Sequence, residues 1–434
     1  MILELKIDRY GANGEGIALY NNKVVFVPFA LKGEIVKVEI LKEYKTYYNA
    51  KLLNVIKKSE KRTQPLCPYY KICGGCNLQH ANYKEQLKIK ETIVKNNLEK
   101  YAHCDFNLNP IIESNLIYNY RNHISFHVNK KGELGFYKNS SNDFIKILNC
   151  HLANNVINLC ISIFNNYFFK NHIKGYDKKT KQGLIKLVDF KIVNNKMLIT
   201  IVSTNLILSN INQLVNNLKL IGVEFGLFIS LNNYNNTLIY GQVNKNIFGL
   251  KEICYNEKDI ISYIGNYSFL QINDYIKDLI YDKIINKVTA NCLVDLYAGR
   301  AIVSALLSKK IKKVYAVEIV KEACFDANKM LADNNIKNVT VLCEDANLAL
   351  LKINEKVDCV IVDPPRKGME RKTILSILQK KPKQIVYLSC SSNTLARDLN
   401  IFLQDGNYKL TLVQPYDMFP NTANIETLAF MEKI

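Results

Sequence analysis

The chain has 434 residues, length enough for roughly two to four domains, and its 48% hydrophobic and 22% charged content supports a sizeable packed core and excludes intrinsic disorder. Residues 1–13 carry Glu4, Lys6, Asp8 and Arg9 without an apolar stretch, against a signal peptide, and no run of about 18 uncharged apolar residues occurs, against a membrane span. A net charge of +19, from 58 Lys and Arg against 39 Asp and Glu, calls for a polyanionic partner, either nucleic acid or an anionic membrane surface. The expectation is a soluble, cytoplasmic, monomeric chain that binds nucleic acid rather than a membrane.

The charge is spread, with +8 over residues 1–100 and +4 over 291–434, which fits an extended footprint better than a basic tail. Lysine dominates, and the seven arginines (Arg9, Arg62, Arg121, Arg300, Arg366, Arg371, Arg397) are better placed for sites that need a planar bidentate donor. Twelve cysteines without a secretory signal argue for free thiols. Cys160, Cys292, Cys324, Cys343 and Cys359 sit in apolar stretches and are expected to be buried hydrophobes.

Residues 1–57 alternate and turn like a small β-barrel, with strands near 2–7, 15–20, 23–27, 34–41 and 47–56 punctuated by Gly11, Gly14, Gly16 and Gly33. Lys42, Lys45 and Lys51 interleave with Tyr44, Tyr47 and Tyr48, a mixture suited to phosphate contacts and base stacking on single-stranded nucleic acid. Thr63–Pro65 and Pro68 mark a linker. Cys67, Cys73 and Cys76 follow, spaced C-x5-C-x2-C with Gly74 and Gly75 between the last two, a pattern of metal or iron–sulfur ligands. A fourth thiolate is required, with Cys104 and Cys150 as candidates, and four thiolates suit zinc equally well.

Helical periodicity runs over 85–100 through Leu87, Ile89, Val94 and Leu98, and residues 118–150 and 184–204 read as β-hairpins with turns at 129–132 and 194–196. Residues 205–260 are polar and Asn-rich, without a clear assignment. From 291 onward strands and helices alternate, the signature of a doubly wound α/β sheet. Strands are predicted at 293–297, 313–317, 339–343, 358–362 and 384–389, with two more near 409–415 and 425–431 that lack an intervening helix, so the last is antiparallel. The organisation is therefore 1–58, barrel; 66–260, central β-rich domain, with residues about 85–120 packing on the catalytic domain; and 261–434, doubly wound catalytic domain.

The first of these strands ends Asp295-Leu-Tyr-Ala-Gly-Arg-Ala and the second ends at Glu318, a glycine turn plus a carboxylate suited to ribose hydroxyls; G-x-G-x-x-G is absent, which disfavours a dinucleotide. Asp345, after the third strand, is a candidate partner for an adenine amino group. The fourth runs into Asp363-Pro-Pro-Arg-Lys-Gly. The fifth ends at Cys390, before a helix, where the helix dipole and Arg366 or Arg397 are expected to lower its pKa toward thiolate. An antiparallel last strand would bring Glu426 to the same edge, and a thiol beside a carboxylate is what methylation at C5 of uracil requires.

In order, the motifs C-x5-C-G-G-C (67–76), Y-R-N (120–122), F-L-Q-I-N (269–273), D-L-Y-x-G (295–299), D-P-P-R-K-G (363–368), S-C…T-L-A-R-D-L (389–399) and D-M-F-P…E-T (417–427) resemble the RNA uracil-5-methyltransferase family over nearly the whole chain. The resemblance implies a TRAM/OB-like barrel at the N-terminus, a central iron–sulfur domain and a class I methyltransferase domain. It implies that Cys67, Cys73, Cys76 and Cys150 hold a 4Fe–4S cluster, that Gln271, Tyr297, Glu318 and Asp363 contact S-adenosyl-L-methionine, and that Cys390 is the nucleophile and Glu426 the proton acceptor. The substrate would be a uridine in ribosomal RNA, ahead of transfer RNA. The chain departs from the family's usual D-L-Y-C-G-x-G-T at Ala301 and Ile302, carries Asn421 and Asn424 where histidines are common, and has Ser391-Ser392 where Asn-Pro is usual. Two other readings are an RNA-binding module of the same fold that has lost its cofactor, and a cytosine-5-methyltransferase, whose nucleophile follows the proline of the fourth-strand motif, where this chain has Arg366.

Overall fold

The computed structural model describes residues 1–139, 141–233, 240–241 and 243–434. Residues 1–57 form a six-stranded sheet (Ile2–Lys6, Arg9–Tyr10, Gly16–Tyr20, Lys23–Val27, Ile35–Glu43, Tyr47–Lys57), close to the spans expected from alternation. Its pairing leaves Ile2–Lys6 and Arg9–Tyr10 at the two edges rather than closing a full barrel ladder, although the Asp8 N–H donates to Ile17 O at 2.8 Å. Asn21 and Asn22, at φ 49° and 60°, make the tight turn between the third and fourth strands; asparagine tolerates this left-handed pair where a branched residue would not.

The central seven-stranded sheet runs in the order Val243–Gly249, Glu224–Leu231, Lys196–Ser203, Ile185–Val193, His123–Val128, Leu134–Tyr137, Phe144–Lys146. Both expected hairpins are present, and Asn194 and Asn195 (φ 48° and 59°) supply the second turn. Helices Asn155–Lys170 and Ile211–Lys219 contribute Phe164, Phe168, Leu214 and Leu218 to its core.

The C-terminal sheet follows the order Val339–Cys343, Lys313–Glu318, Cys292–Leu296, Cys359–Val362, Gln384–Ser389, Glu426–Lys433, Tyr408–Tyr416. Its first five strands are parallel, and Glu426–Lys433 runs antiparallel between Gln384–Ser389 and Tyr408–Tyr416, as expected from the missing helix. One face carries helices Asp274–Lys287, Ile302–Leu307 and Lys321–Asp333; the other carries Arg371–Lys380 and Ser392–Asp405. Helix Tyr83–Tyr101, capped by the Asn82 side chain accepting from Glu85 N at 2.9 Å, joins that second face, sharing a core with Val294, Val360 and Leu399. Bridges from Leu108 to Val413 and Ile112 to Tyr416 lay the following segment along the sheet edge, so residues 85–112 pack on the catalytic sheet. One cysteine differs from expectation. Cys343 is exposed, because it ends the edge strand of the sheet, where no further strand covers it.

Candidate active site

The decisive geometry is a register. Strand Gln384–Ser389 pairs antiparallel with Glu426–Lys433, with Ser389 opposite Thr427, so one further step places Cys390 opposite Glu426 at the carboxyl end of the parallel strands. Open α/β sheets bind ligands at that end. Both residues line one cavity of about 800 Å³, together with Gln271, Tyr297, Glu318 and Asp363. All six residues singled out from the sequence for catalysis and cofactor binding thus share a single space.

Each wall is built locally. The turn after Cys292–Leu296 is left-handed at Tyr297, Gly299 and Ala301. Glu318 is held by three backbone donors, Gly299 N at 2.9 Å on one oxygen and Ile319 N and Val320 N at 2.8 and 2.9 Å on the other. A carboxylate fixed this way keeps lone pairs free for hydroxyl donors of a ligand. Asp345 caps helix Ala346–Lys352 through one oxygen, bonded to Asn347 N at 3.0 Å, and also lines the cavity. Gln271 is positioned through its backbone, whose carbonyl accepts from Asn122 Nδ2 at 2.9 Å.

The electrostatics correct one expectation. The Cys390 thiol is not lowered toward thiolate; burial and the neighbouring Glu426 carboxylate push it above the usual range, against the pull of Arg366, which lies within hydrogen-bonding reach of the sulfur. Burial is the largest of these effects. Arg397 is turned away, donating to Asp398 at 2.8 Å and to the Met369 carbonyl at 3.3 Å. Glu426 is buried at 3% exposure, and burial with the nearby Asp363 charge raises its carboxyl well above the usual range. Asp363 is open to the cavity yet walled in by protein, and is pushed up to about 7 by desolvation and by Asp295; Asp295, buried and accepting from Ser304 Oγ at 2.6 Å, is also raised to about 7, chiefly by desolvation.

A second cavity, of about 640 Å³, is also lined by Cys390 and Arg366. Its walls include Arg9 of the N-terminal sheet, Lys100 and Tyr101 of the helix Tyr83–Tyr101, and Asn424. The nucleophile candidate therefore stands where two cavities meet.

Sequence reasoning missed what holds the loop ahead of Glu426. Asp417 is fully buried and ion-paired with the fully buried Lys90, whose ammonium also donates to Phe419 O at 3.0 Å; Tyr83 donates to the second Asp417 oxygen at 2.8 Å. Asn421, buried at φ 68°, accepts at its carbonyl from Asn77 N and Leu78 N (3.2 and 3.1 Å), and its own N–H donates to Gln86 Oε1 at 2.9 Å. The left-handed backbone favours asparagine there. A buried Lys in an otherwise amphipathic helix was the available signal.

In the central domain Cys67, Cys73, Cys76 and Cys150 line one cavity of about 380 Å³, whereas Cys104 lines another. Burial raises the thiols of Cys67, Cys73 and Cys76, the last to about 12, and the charge of Cys150 acts on all three in the same direction. Half-buried Arg121 lines the same cavity, its Nε without a hydrogen-bond partner among the described residues. Among the described residues, no three His, Cys, Asp or Glu side chains are gathered closely enough to hold a metal ion as they stand.

A profile of the tRNA (uracil-5-)-methyltransferase family matches residues 82–434, and a TRAM domain profile matches residues 2–53. The chain belongs to the tRNA (uracil-5-)-methyltransferase family. Its relatives include an uncharacterised RNA methyltransferase of Caldanaerobacter subterraneus, 34% identical over 99% of this chain and 98% of the relative, and one of Clostridium tetani, 34% identical over 98% and 95%. The fold is that of the Pyrococcus abyssi tRNA (uracil-54, C5)-methyltransferase, solved with S-adenosyl-L-homocysteine, at a TM-score of 0.80 and 22% identity over 99% of both chains. It is thus an RNA (uracil-5-)-methyltransferase by family, with an N-terminal TRAM domain. No described helix is long and apolar enough to cross a membrane.

Proposed function

We propose that Cys390 and Glu426 carry out the chemistry, with Gln271, Tyr297, Glu318 and Asp363 holding the cofactor. The observation that carries this reading is the meeting of two cavities at Cys390: one walled by the carboxylates Glu318 and Asp363, the other by cationic and aromatic groups reaching to the N-terminal sheet. A single-stranded stretch of RNA suits the second, through Arg9 and Lys100 on phosphates and Tyr101 on a base. A uridine flipped from its stack would reach the sulfur from that side.

S-adenosyl-L-methionine, when bound, supplies an electrophilic methyl group. The chain's own residues do the rest. The Cys390 thiolate adds to C6 of the uracil, which makes C5 nucleophilic; once C5 is methylated, the Glu426 carboxylate takes the C5 proton and the C6–sulfur bond breaks, returning the electron pair to the thiolate. Arg366 favours the thiolate before addition. Lys90 and Asp417 hold the loop that delivers Glu426.

The four cysteines would suit a 4Fe–4S cluster: their thiols line one cavity together with Arg121, whose charge favours ionisation of Cys73 and Cys76. The cluster would hold the Cys67–Cys76 loop to Cys150, and no step of the methylation needs an electron. Zinc is the competing occupant, and iron, sulfide and zinc contents of anaerobically purified protein decide between them.

Replacement of Cys390 by Ala should abolish methyl transfer, and normal turnover would reject the mechanism. Glu426→Gln should accumulate an RNA adduct that survives denaturing electrophoresis. The ribosomal assignment rests on the resemblance alone; mapping 5-methyluridine in 23S ribosomal and transfer RNA from cells with and without the gene tests it.

A further inference from the structure

The turn at Tyr297–Ala301 asks for three left-handed residues in five: Tyr297 at φ 62°, Gly299 at φ 55° and Ala301 at φ 57°. Only glycine enters that region freely. Ala301 is fully buried, and its N–H donates to Ala298 O at 2.8 Å, closing the turn that aims Gly299 N at Glu318. An alanine here needs outside support.

Arg300, the residue between, provides a fixed point. Its guanidinium leaves the cavity and enters the hairpin of Ile253–Glu257 and Ile260–Ile264. One nitrogen donates to Ser262 Oγ at 2.9 Å and to Tyr263 O at 2.6 Å, and the other reaches Tyr255 Oη at 3.4 Å. Tyr255 donates in turn to Glu257 at 2.6 Å, and Glu257 is ion-paired with Lys277 at 2.6 Å. The hairpin cannot drift from the turn, because Ile260 packs in the same core as Ala301, Ile302 and Ala305. A planar fork with several donors makes this anchor, which a lysine could not reproduce.

We propose that Arg300 is a positioning residue for the cofactor: by clamping the turn to the hairpin it holds Ala301 in the left-handed form that glycine would adopt unaided, and so sets the affinity for S-adenosyl-L-methionine. The proposal rests on the cofactor reading of the Glu318 cavity. If the turn is left-handed in only a fraction of molecules, apparent affinity falls by that fraction.

The test is a cycle in the full-length protein of Arg300→Met, Ala301→Gly and the double variant, titrated calorimetrically with S-adenosyl-L-homocysteine and checked by thermal melting. Arg300→Met should weaken binding about tenfold, and Ala301→Gly in the same chain should restore most of it. A role confined to hairpin docking gives no such rescue, so a double variant as weak as Arg300→Met overturns the proposal, as does unchanged binding in Arg300→Met. Tyr255→Phe, which removes one partner of the fork, gives the same comparison with a milder change should Arg300→Met fail to fold. Amide exchange of peptides spanning 298–302 reads the turn without ligand. It should quicken in Arg300→Met and slow again in the double variant, and equal exchange throughout refutes the clamp even if the wild-type chain binds no S-adenosyl-L-homocysteine, the outcome that would sink the cofactor reading instead.

Discussion

Lys90→Met is the sharpest test of how the catalytic loop is held. Lys90 and Asp417 are both fully buried, and the ammonium has two partners, Asp417 and the Phe419 carbonyl at 3.0 Å. Burial pulls the Lys90 pKa down while its ion-pair partner Asp417 opposes that pull. Methionine fills similar volume but leaves Asp417, among the described residues, with Tyr83 Oη at 2.8 Å and the hydrogen bonds of its own backbone. Removing one member of a buried pair costs about 3–5 kcal/mol, because the remaining charge is left unpaired in a low-dielectric interior. For a unit of 150–250 residues that corresponds to about 6–20 °C in melting temperature. The assay is thermal melting at pH 7 of Lys90→Met, Asp417→Asn and the double variant. The double variant should recover at least about 1 kcal/mol over Lys90→Met, since it removes the stranded charge. A Lys90→Met protein that melts within about 2 °C of wild type, or strictly additive losses, would refute the argument.

Three further outcomes follow from the electrostatics. Asp295 keeps its proton up to about 7 when folded but loses it near 4 when unfolded. The unfolded chain therefore binds fewer protons between those values, so stability falls as pH rises from about 4 to 7, by up to ~4 kcal/mol at 1.36 kcal/mol per unit. Asp295→Asn should flatten that slope in melts taken across the range, and an unchanged slope would exclude Asp295 as its source. Because Cys390 and Glu426 are both raised, their reactive ionised forms gain population with pH; single-turnover methylation should climb from pH 6 toward 9, and a rate that declines over this range would contradict the environment described for them. If Arg9 and Lys100 contact phosphates, Arg9→Gln with Lys100→Gln should weaken RNA binding and reduce the slope of log affinity against log salt by about 1.5, measured by filter binding; an unchanged slope would remove the groove from the RNA path.

Much of this protein is local and was therefore legible in the residues. Alternation and Asn-Asn turns specified the hairpins, Asn82, Asp345 and Ser391 mark the helix starts they cap, and the absence of a helix between the last two strands implied the antiparallel strand that puts Glu426 beside Cys390. Long-range packing decided the rest. Where a hairpin folds back decides that Cys150, and not Cys104, lines the cavity shared by Cys67, Cys73 and Cys76. The same holds for the pairing of Lys90 with Asp417, 327 positions apart, and for the insertion of Arg300 into a hairpin. The thiol pKa shows the reason: a helix N-terminus can be read from neighbouring letters, whereas desolvation by the whole surrounding fold cannot, and at Cys390 desolvation is the largest cause of the upward shift.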